Sequence, residues 1–242
     1  VKESLAGRCI ILELFPLTLP ELITTSWTDT VNNSLFINFI SNNFSADFLP
    51  SFLMDKQLSV KKSALTHAMK YGGYPAVSED NFSIEEKNDW LRNYVRTYLE
   101  RDIRDLASFR DLDPFIKLQH YLALNTGNLI NASAIAGHLG ISSKSVQRYI
   151  QYFELSYHII SLKSWTRNKS KRLVKSPKIH YLDTGVIYAV LQKTGGMTGN
   201  EYESFVISEI YKQLKNSDLS VSFYHLRTFD GREIDLLLEF PE

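Results

Sequence analysis

The chain has 242 residues, is 44% hydrophobic and 22% charged, and balances 27 basic against 27 acidic side chains. That is enough apolar material for a sizeable core in one large domain or two to three small ones, and it excludes a low-complexity or disordered chain. A lone cysteine, Cys9, rules out an internal disulfide and fits a reducing cytoplasm, while no apolar run nears the ~20 residues that cross a bilayer, so no membrane partner is expected.

Taken in chain order, Arg8-Cys-Ile-Ile-Leu-Glu-Leu14 reads as a strand closed by Phe15-Pro16. Cys9, among Ile10, Ile11 and Leu12, reads as a buried apolar residue. The chain starts at Val1 just ahead of this run and stops at Pro241-Glu242 just after another. Both ends read as cuts through a longer protein. Thr18 with Pro20 and Glu21 starts a helix: a capping hydroxyl, an early proline and an acid at the positive end of the dipole. Residues 34–71 have helix-like apolar spacing, interrupted at Pro50, and Gly72-Gly73-Tyr74-Pro75 breaks the chain.

Ser83 and Glu86 form a capping box. Behind it Trp90, Leu91, Tyr94, Val95, Tyr98, Leu99 and Ile103 make one apolar face, with Arg92, Arg96, Glu100, Arg101 and Arg104 outside it. Asp113-Pro114 caps the next helix, whose inner side is Phe115, Leu118, Tyr121, Leu122 and Leu124, and Thr126-Gly127-Asn128 ends it. Residues 157–165 and 178–182 read as strands, 186–191 as a short helix and 200–214 as an amphipathic one with Tyr202, Phe205, Val206, Ile210 and Leu214 apolar. Residues 221–226 and 233–239 read as a hairpin across Phe229-Asp230-Gly231.

Residues 131–153 have the pattern of a helix-turn-helix. Such a pair needs a small residue where the helices meet, a residue that tolerates positive φ in the turn, and apolar contacts beyond it. Ala136, Gly140 and Ile141 supply these in order, with Ile135, Leu139, Val146 and Ile150 as shared core and Ser142 as cap. The second helix would present Ser143, Lys144, Gln147, Arg148 and Gln151 outward, side chains that reach phosphates and base edges. From Ser142 to Lys178 nine Lys/Arg face the single acid Glu154, in a chain that is neutral overall. Gathered charge of this kind is the footprint of a nucleic-acid surface. Lys144, Gln147 and Arg148 are assigned to groove contacts, and Arg167, Lys169, Lys171, Arg172 and Lys175 to phosphates. The alternative is a helix pair that docks a protein partner, with the basic loop merely solvated.

Near the C-terminal end, Glu203 falls on a predicted helix and Asp235 and Glu239 on a predicted strand. Acids brought together from a helix and a strand end can hold Mg²⁺ for phosphodiester chemistry, although surface acids on an amphipathic helix and hairpin would leave the same spacing. Asp183-Thr184-Gly185 matches the tripeptide of aspartic proteases, but the chain has one copy and helix-like sequence follows it. The preferred reading is a turn, with Asp183 as local cap and Gly185 as its flexible residue.

Several motifs run in order over nearly the whole chain: Leu5-Ala-Gly-Arg8, Leu14-Phe-Pro-Leu17, Pro20-Glu-Leu22, Gly72-Gly-Tyr-Pro75, Tyr98-Leu-Glu-Arg-Asp-Ile103, Asn168-Lys-Ser-Lys-Arg172, Lys175-Ser-Pro-Lys178, Tyr181-Leu-Asp-Thr-Gly185, Glu203, and Gly231-Arg-Glu-Ile-Asp235. In this the chain resembles the C-terminal part of a family of prokaryotic AAA-type ATPases. That family joins a nucleotide-binding core to a winged helix and a restriction-endonuclease-like domain of unknown function.

The resemblance implies an α+β chain: residues 1–20 end the ATPase core, 21–112 form a helical lid or linker, 113–177 a winged helix, and 178–242 a truncated nuclease-like domain. It places Arg8 in an element that senses nucleotide or serves structure, and makes Glu203 and Asp235 the metal-holding, catalytic pair of an incomplete site. The acid-x-lysine element of that fold would lie beyond Glu242, and no Gly-x-x-x-x-Gly-Lys-Ser/Thr occurs. Alone, this stretch is expected to be catalytically inactive and to carry no cofactor, whereas the parent would use ATP and Mg²⁺. The expected function is DNA engagement as the effector end of an ATP-driven cytoplasmic protein. The alternatives are a protein-interaction module, and a Mg²⁺-dependent nuclease when full length. A homo-oligomer is compatible with either.

Overall fold

The computed structural model describes residues 12–26, 28–45, 47, 57–79, 81–98, 112–167, 176–228 and 230–241. Among them are ten α-helices and one five-stranded mixed sheet, so the chain is a mixed α/β protein. In chain order these are α1 (Leu19–Leu22), α2 (Leu35–Ser41), α3 (Leu58–Tyr71), α4 (Pro75–Ser78), α5 (Ile84–Thr97), α6 (Asp113–Leu124), β1 (Asn128–Leu129), α7 (Ala132–Leu139), α8 (Ser143–Leu155), β2 (Ile159–Ser164), β3 (Lys178–Tyr181), α9 (Thr184–Leu191), α10 (Gly199–Lys215), β4 (Ser222–Arg227) and β5 (Glu233–Glu239). No helix among the described residues is long and apolar enough to cross a membrane.

The sheet runs β1-β3-β2-β4-β5. β3 is antiparallel to both β1 and β2, with Lys178 opposite Leu129 on one side and Leu162 on the other. β4 joins β2 in parallel over only Lys163↔Tyr224 and Ser164↔His225, helped by a Trp165 N–H bond to the His225 carbonyl at 2.7 Å. β5 returns antiparallel to β4, with a bulge between Tyr224 and Leu226. The expected division at 177/178 therefore falls between two strands that are paired over four residues.

Strand alternation sorts the core into two sides. Ile159, Ile179 and Tyr181 face a large apolar cluster with Phe115, Leu118 and Leu122 of α6, Ile135 of α7, and Val146, Ile150 and Phe153 of α8. Phe115 and Phe153 stack there with ring centroids 4.3 Å apart. Ile160, Leu162 and Leu182 face the other way, onto Ile207 of α10 and Phe15. α9 packs against α3, α5 and α6, and so ties the first half of the chain to the sheet.

Several sequence expectations shift in detail. Thr18 does head α1, its N–H and hydroxyl both donating to the Glu21 carboxylate at 2.7 Å, but the helix is a single turn. Asp113 is the first residue of α6 rather than its cap and pairs with Lys117 at 2.6 Å; Leu124 at its far end points outward. On α10, Tyr202 and Val206 are exposed, while Ser204, Ser208, Glu209 and Lys212 are buried. The inward face of this helix is thus polar in places where apolar periodicity alone would put hydrocarbon. The Arg8–Leu14 strand, Pro50, Leu99, Ile103, Arg8, Lys169, Lys171, Arg172 and Lys175 lie wholly or largely outside the described residues.

The three motif segments around residues 17, 72 and 183 meet. Asp183 caps α9, its Oδ1 accepting the Val186 N–H at 3.3 Å while Oδ2 accepts the Gly73 N–H at 2.8 Å. Gly73 in turn accepts from Leu17 N–H at 2.6 Å, and the Leu17 carbonyl accepts from Lys212 Nζ at 3.0 Å. Gly185 lies inside α9, where a Cβ would collide with the Tyr71 carbonyl. Close approach, rather than the flexibility expected of it, is what that glycine supplies.

Candidate functional site

The helix pair forms as its sequence dictates. Asn131 Oδ1 accepts the N–H groups of Ser133 and Ala134 at the start of α7. Gly140 then takes a left-handed conformation with φ of 66°, and Ser142 caps α8 by accepting the Ser145 N–H at 3.0 Å. α8 is two-faced: Val146, Tyr149, Ile150 and Phe153 are buried, whereas Lys144, Gln147, Arg148 and Gln151 are exposed. Arg167 is exposed just past the end of β2. Four of the five residues assigned to phosphates (Lys169, Lys171, Arg172 and Lys175) lie outside the described residues, so only Arg167 of that set is placed.

Lys178, counted in the basic stretch, does not face a partner at all. Its side chain is 4% exposed, and Nζ lies 2.8 Å from Glu203 Oε1, 2.9 Å from Glu233 Oε1 and 2.6 Å from Asp235 Oδ1. Three elements therefore converge on one ammonium: β3 carries it, α10 brings Glu203, and β5 brings the i, i+2 pair Glu233 and Asp235. Glu203 and Asp235, 32 residues apart in sequence, do meet, but through this cation. Burial disfavours the Lys178 charge, yet the surrounding Asp235, Glu203 and Glu233 carboxylates outweigh this and hold it above the ordinary lysine range. Burial raises the Glu203 carboxyl above its usual range despite that lysine.

Behind the ammonium lies a buried polar seam. His180, two residues along β3 from Lys178, is fully buried and bonds through Nδ1 to Ser204 Oγ at 2.9 Å. Ser204 bonds to Thr126 Oγ1 at 2.8 Å, which accepts the Tyr181 N–H at 3.1 Å. Burial, reinforced by Lys178, pushes the His180 ring down to about 3, so it is neutral, and buried His225 lies close enough to act on it electrostatically. Sequence reading missed Glu233, Lys178, His180 and Ser204 as members of one site. The signal for Lys178 was its place at the head of an alternating strand, where side chains at 178 and 180 share a face.

The comparisons with known proteins follow this architecture. The family described as a domain of unknown function (DUF8612) matches residues 62–196, more than half of the chain. This chain belongs to the DUF8612 family. A second domain of unknown function, DUF4143, matches residues 198–242, so the two regions meet just before α10. The DUF8612 region holds the α7–α8 pair and Lys178, and the DUF4143 region supplies the three carboxylates that bind it. Uncharacterized protein Mb2031c of Mycobacterium bovis and Uncharacterized protein Rv2008c of Mycobacterium tuberculosis are each 27% identical over 187 residues, covering 74% of this chain. The chain spans 41% of the length of these curated relatives. No solved structure matches.

Proposed function

We propose that this chain is the DNA-engaging part of a longer, nucleotide-hydrolysing protein, with α8 as the helix that enters the major groove. The observation that carries the reading is the division of α8: an apolar face locked into the core and an opposite face offering Lys144, Gln147 and Arg148 to solvent. The surrounding order supports a winged helix. α6, β1, α7, α8, β2 and β3 succeed one another, and the three strands pair antiparallel as β1-β3-β2. The sequence joining β2 to β3 is rich in Lys and Arg, the composition that phosphate contacts call for. The α10–β4–β5 unit is read as the nuclease-like part. Nucleotide binding is assigned to portions of the parent other than these 242 residues, which contain no phosphate-binding loop. ATP and Mg²⁺ belong to that parent.

The test is binding to a labelled duplex followed by fluorescence anisotropy at roughly 50 and 200 mM salt, with wild type and Lys144→Ala/Arg148→Ala. Loss of the two cationic groove contacts should weaken binding at both salt concentrations, by about 1–3 kcal/mol each. Unaltered affinity would overturn the reading and leave α8 as a protein-docking face.

A further inference from the structure

The likeness to nucleases implies a divalent cation between Glu203 and Asp235. The residues present do not fit that group, because the place is filled. The ammonium donates hydrogen bonds to Glu233 and Asp235 and lies 2.8 Å from Glu203 as an ion pair, so all three carboxylates surround it. A Mg²⁺ or Mn²⁺ ion would need the same oxygens drawn in to about 2.1 Å around a single centre, with Lys178 expelled.

We infer that Lys178 is a built-in substitute for a divalent cation, and that it locks β3 to α10 and β5 in place of a catalytic metal. Three features make it a strong competitor. It is tethered, so its binding gives up no translational freedom, unlike that of a free ion. Its backbone is held on both edges, with Leu129 on β1 and Leu162 on β2 opposite it. Its side chain is almost wholly buried, which strengthens its contact to Glu203 most, the least exposed of the three carboxylates.

The corollary is a latent metal site. Removing the ammonium while keeping the hydrocarbon stem, as in Lys178→Met, leaves the three carboxylates around one point without a counter-charge, with Glu233 and Asp235 open to solvent. A hard divalent cation takes such oxygens together with waters.

The experiment is titration of Mn²⁺ into the whole chain, following the free-ion signal by electron paramagnetic resonance, with circular dichroism to verify folding. Wild type should show no saturable site, Lys178→Met should bind one Mn²⁺ saturably, and Lys178→Met/Glu203→Gln/Asp235→Asn should lose it. Equal binding by wild type and Lys178→Met would overturn the inference. The wild-type arm is decisive even if Lys178→Met fails to fold. A saturable wild-type Mn²⁺ site abolished by Glu203→Gln/Asp235→Asn would refute the substitution of metal by lysine. Its absence from wild type under the same conditions supports the inference. Neither result depends on whether α8 binds DNA.

Discussion

Asp183 and Gly72 are packed so closely that a Cβ on the glycine would occupy the same space as the aspartate carboxyl group. Gly72 has φ of 77° and ψ of −159°, a region essentially closed to L side chains, and it follows the last turn of α3. Two independent penalties thus attach to one methyl group. Gly72→Ala should lose about 3 kcal/mol or more, strain and overlap contributing about 1–3 kcal/mol each. In a chain of this size that is a fall in Tm of about 6–12 °C, measurable by calorimetry. A wild-type melting curve from Gly72→Ala would mean that the Asp183 clasp is not closed in solution.

Acid should destabilise the fold through two buried histidines. Burial pushes His158 down to about 4 and His180 to about 3, both from an ordinary value of 6.5. The folded state therefore prefers the neutral rings, and below 6.5 the unfolded chain binds more protons. Their contribution is complete above pH 6.5 and is lost as pH falls toward the folded values, at about 1.4 kcal/mol per pH unit for each ring. Asp183, raised by burial, acts with the opposite sign, its contribution present below 3.8 and lost as pH rises through its folded value. His158 stacks on Tyr98 with centroids 3.8 Å apart and also contacts Tyr94, so phenylalanine is a suitable replacement. Urea titrations of His158→Phe between pH 4 and 7 should show a stability slope shallower by about one proton. An unchanged slope would place the ring in contact with water.

The Tyr181–Thr126–Ser204–His180 chain of hydrogen bonds links β3 to α10 and to the turn after α6. Ser204 is fully buried and serves both Thr126 and His180. Ser204→Ala should leave two buried polar groups without their partner and cost about 1–3 kcal/mol. Chemical denaturation is the measurement, and a loss below about 0.5 kcal/mol would mean that the network relaxes freely.

The parts of this chain legible beforehand were those decided by local rules. The α7–α8 pair could be read because Ala136, Gly140 and Ser142 each answer a steric or hydrogen-bonding need within a few residues. The Ser83–Glu86 capping box is present for the same reason, with Glu86 Oε2 accepting the Ser83 N–H at 2.7 Å. What could not be read depended on partners distant in sequence. Lys178 looked like one more cation of a basic arm, because nothing near it announces carboxylates 25, 55 and 57 positions later. The polar residues on the buried face of α10 were likewise invisible to a pattern that assumes hydrocarbon inside. Glu209 receives the Leu19 N–H at 2.7 Å and Lys212 reaches the Leu17 carbonyl, both on a segment nearly two hundred residues earlier.

The narrow parallel seam between β2 and β4 has a mechanical consequence. The C-terminal hairpin hangs from the end of β2 that carries Lys163, with Trp165 Nε1 also bonded to Glu239 of β5 at 3.1 Å. The whole C-terminal hairpin is thus moored to the rest of the sheet at one strand end, where a single tryptophan supplies both a main-chain and a side-chain tie.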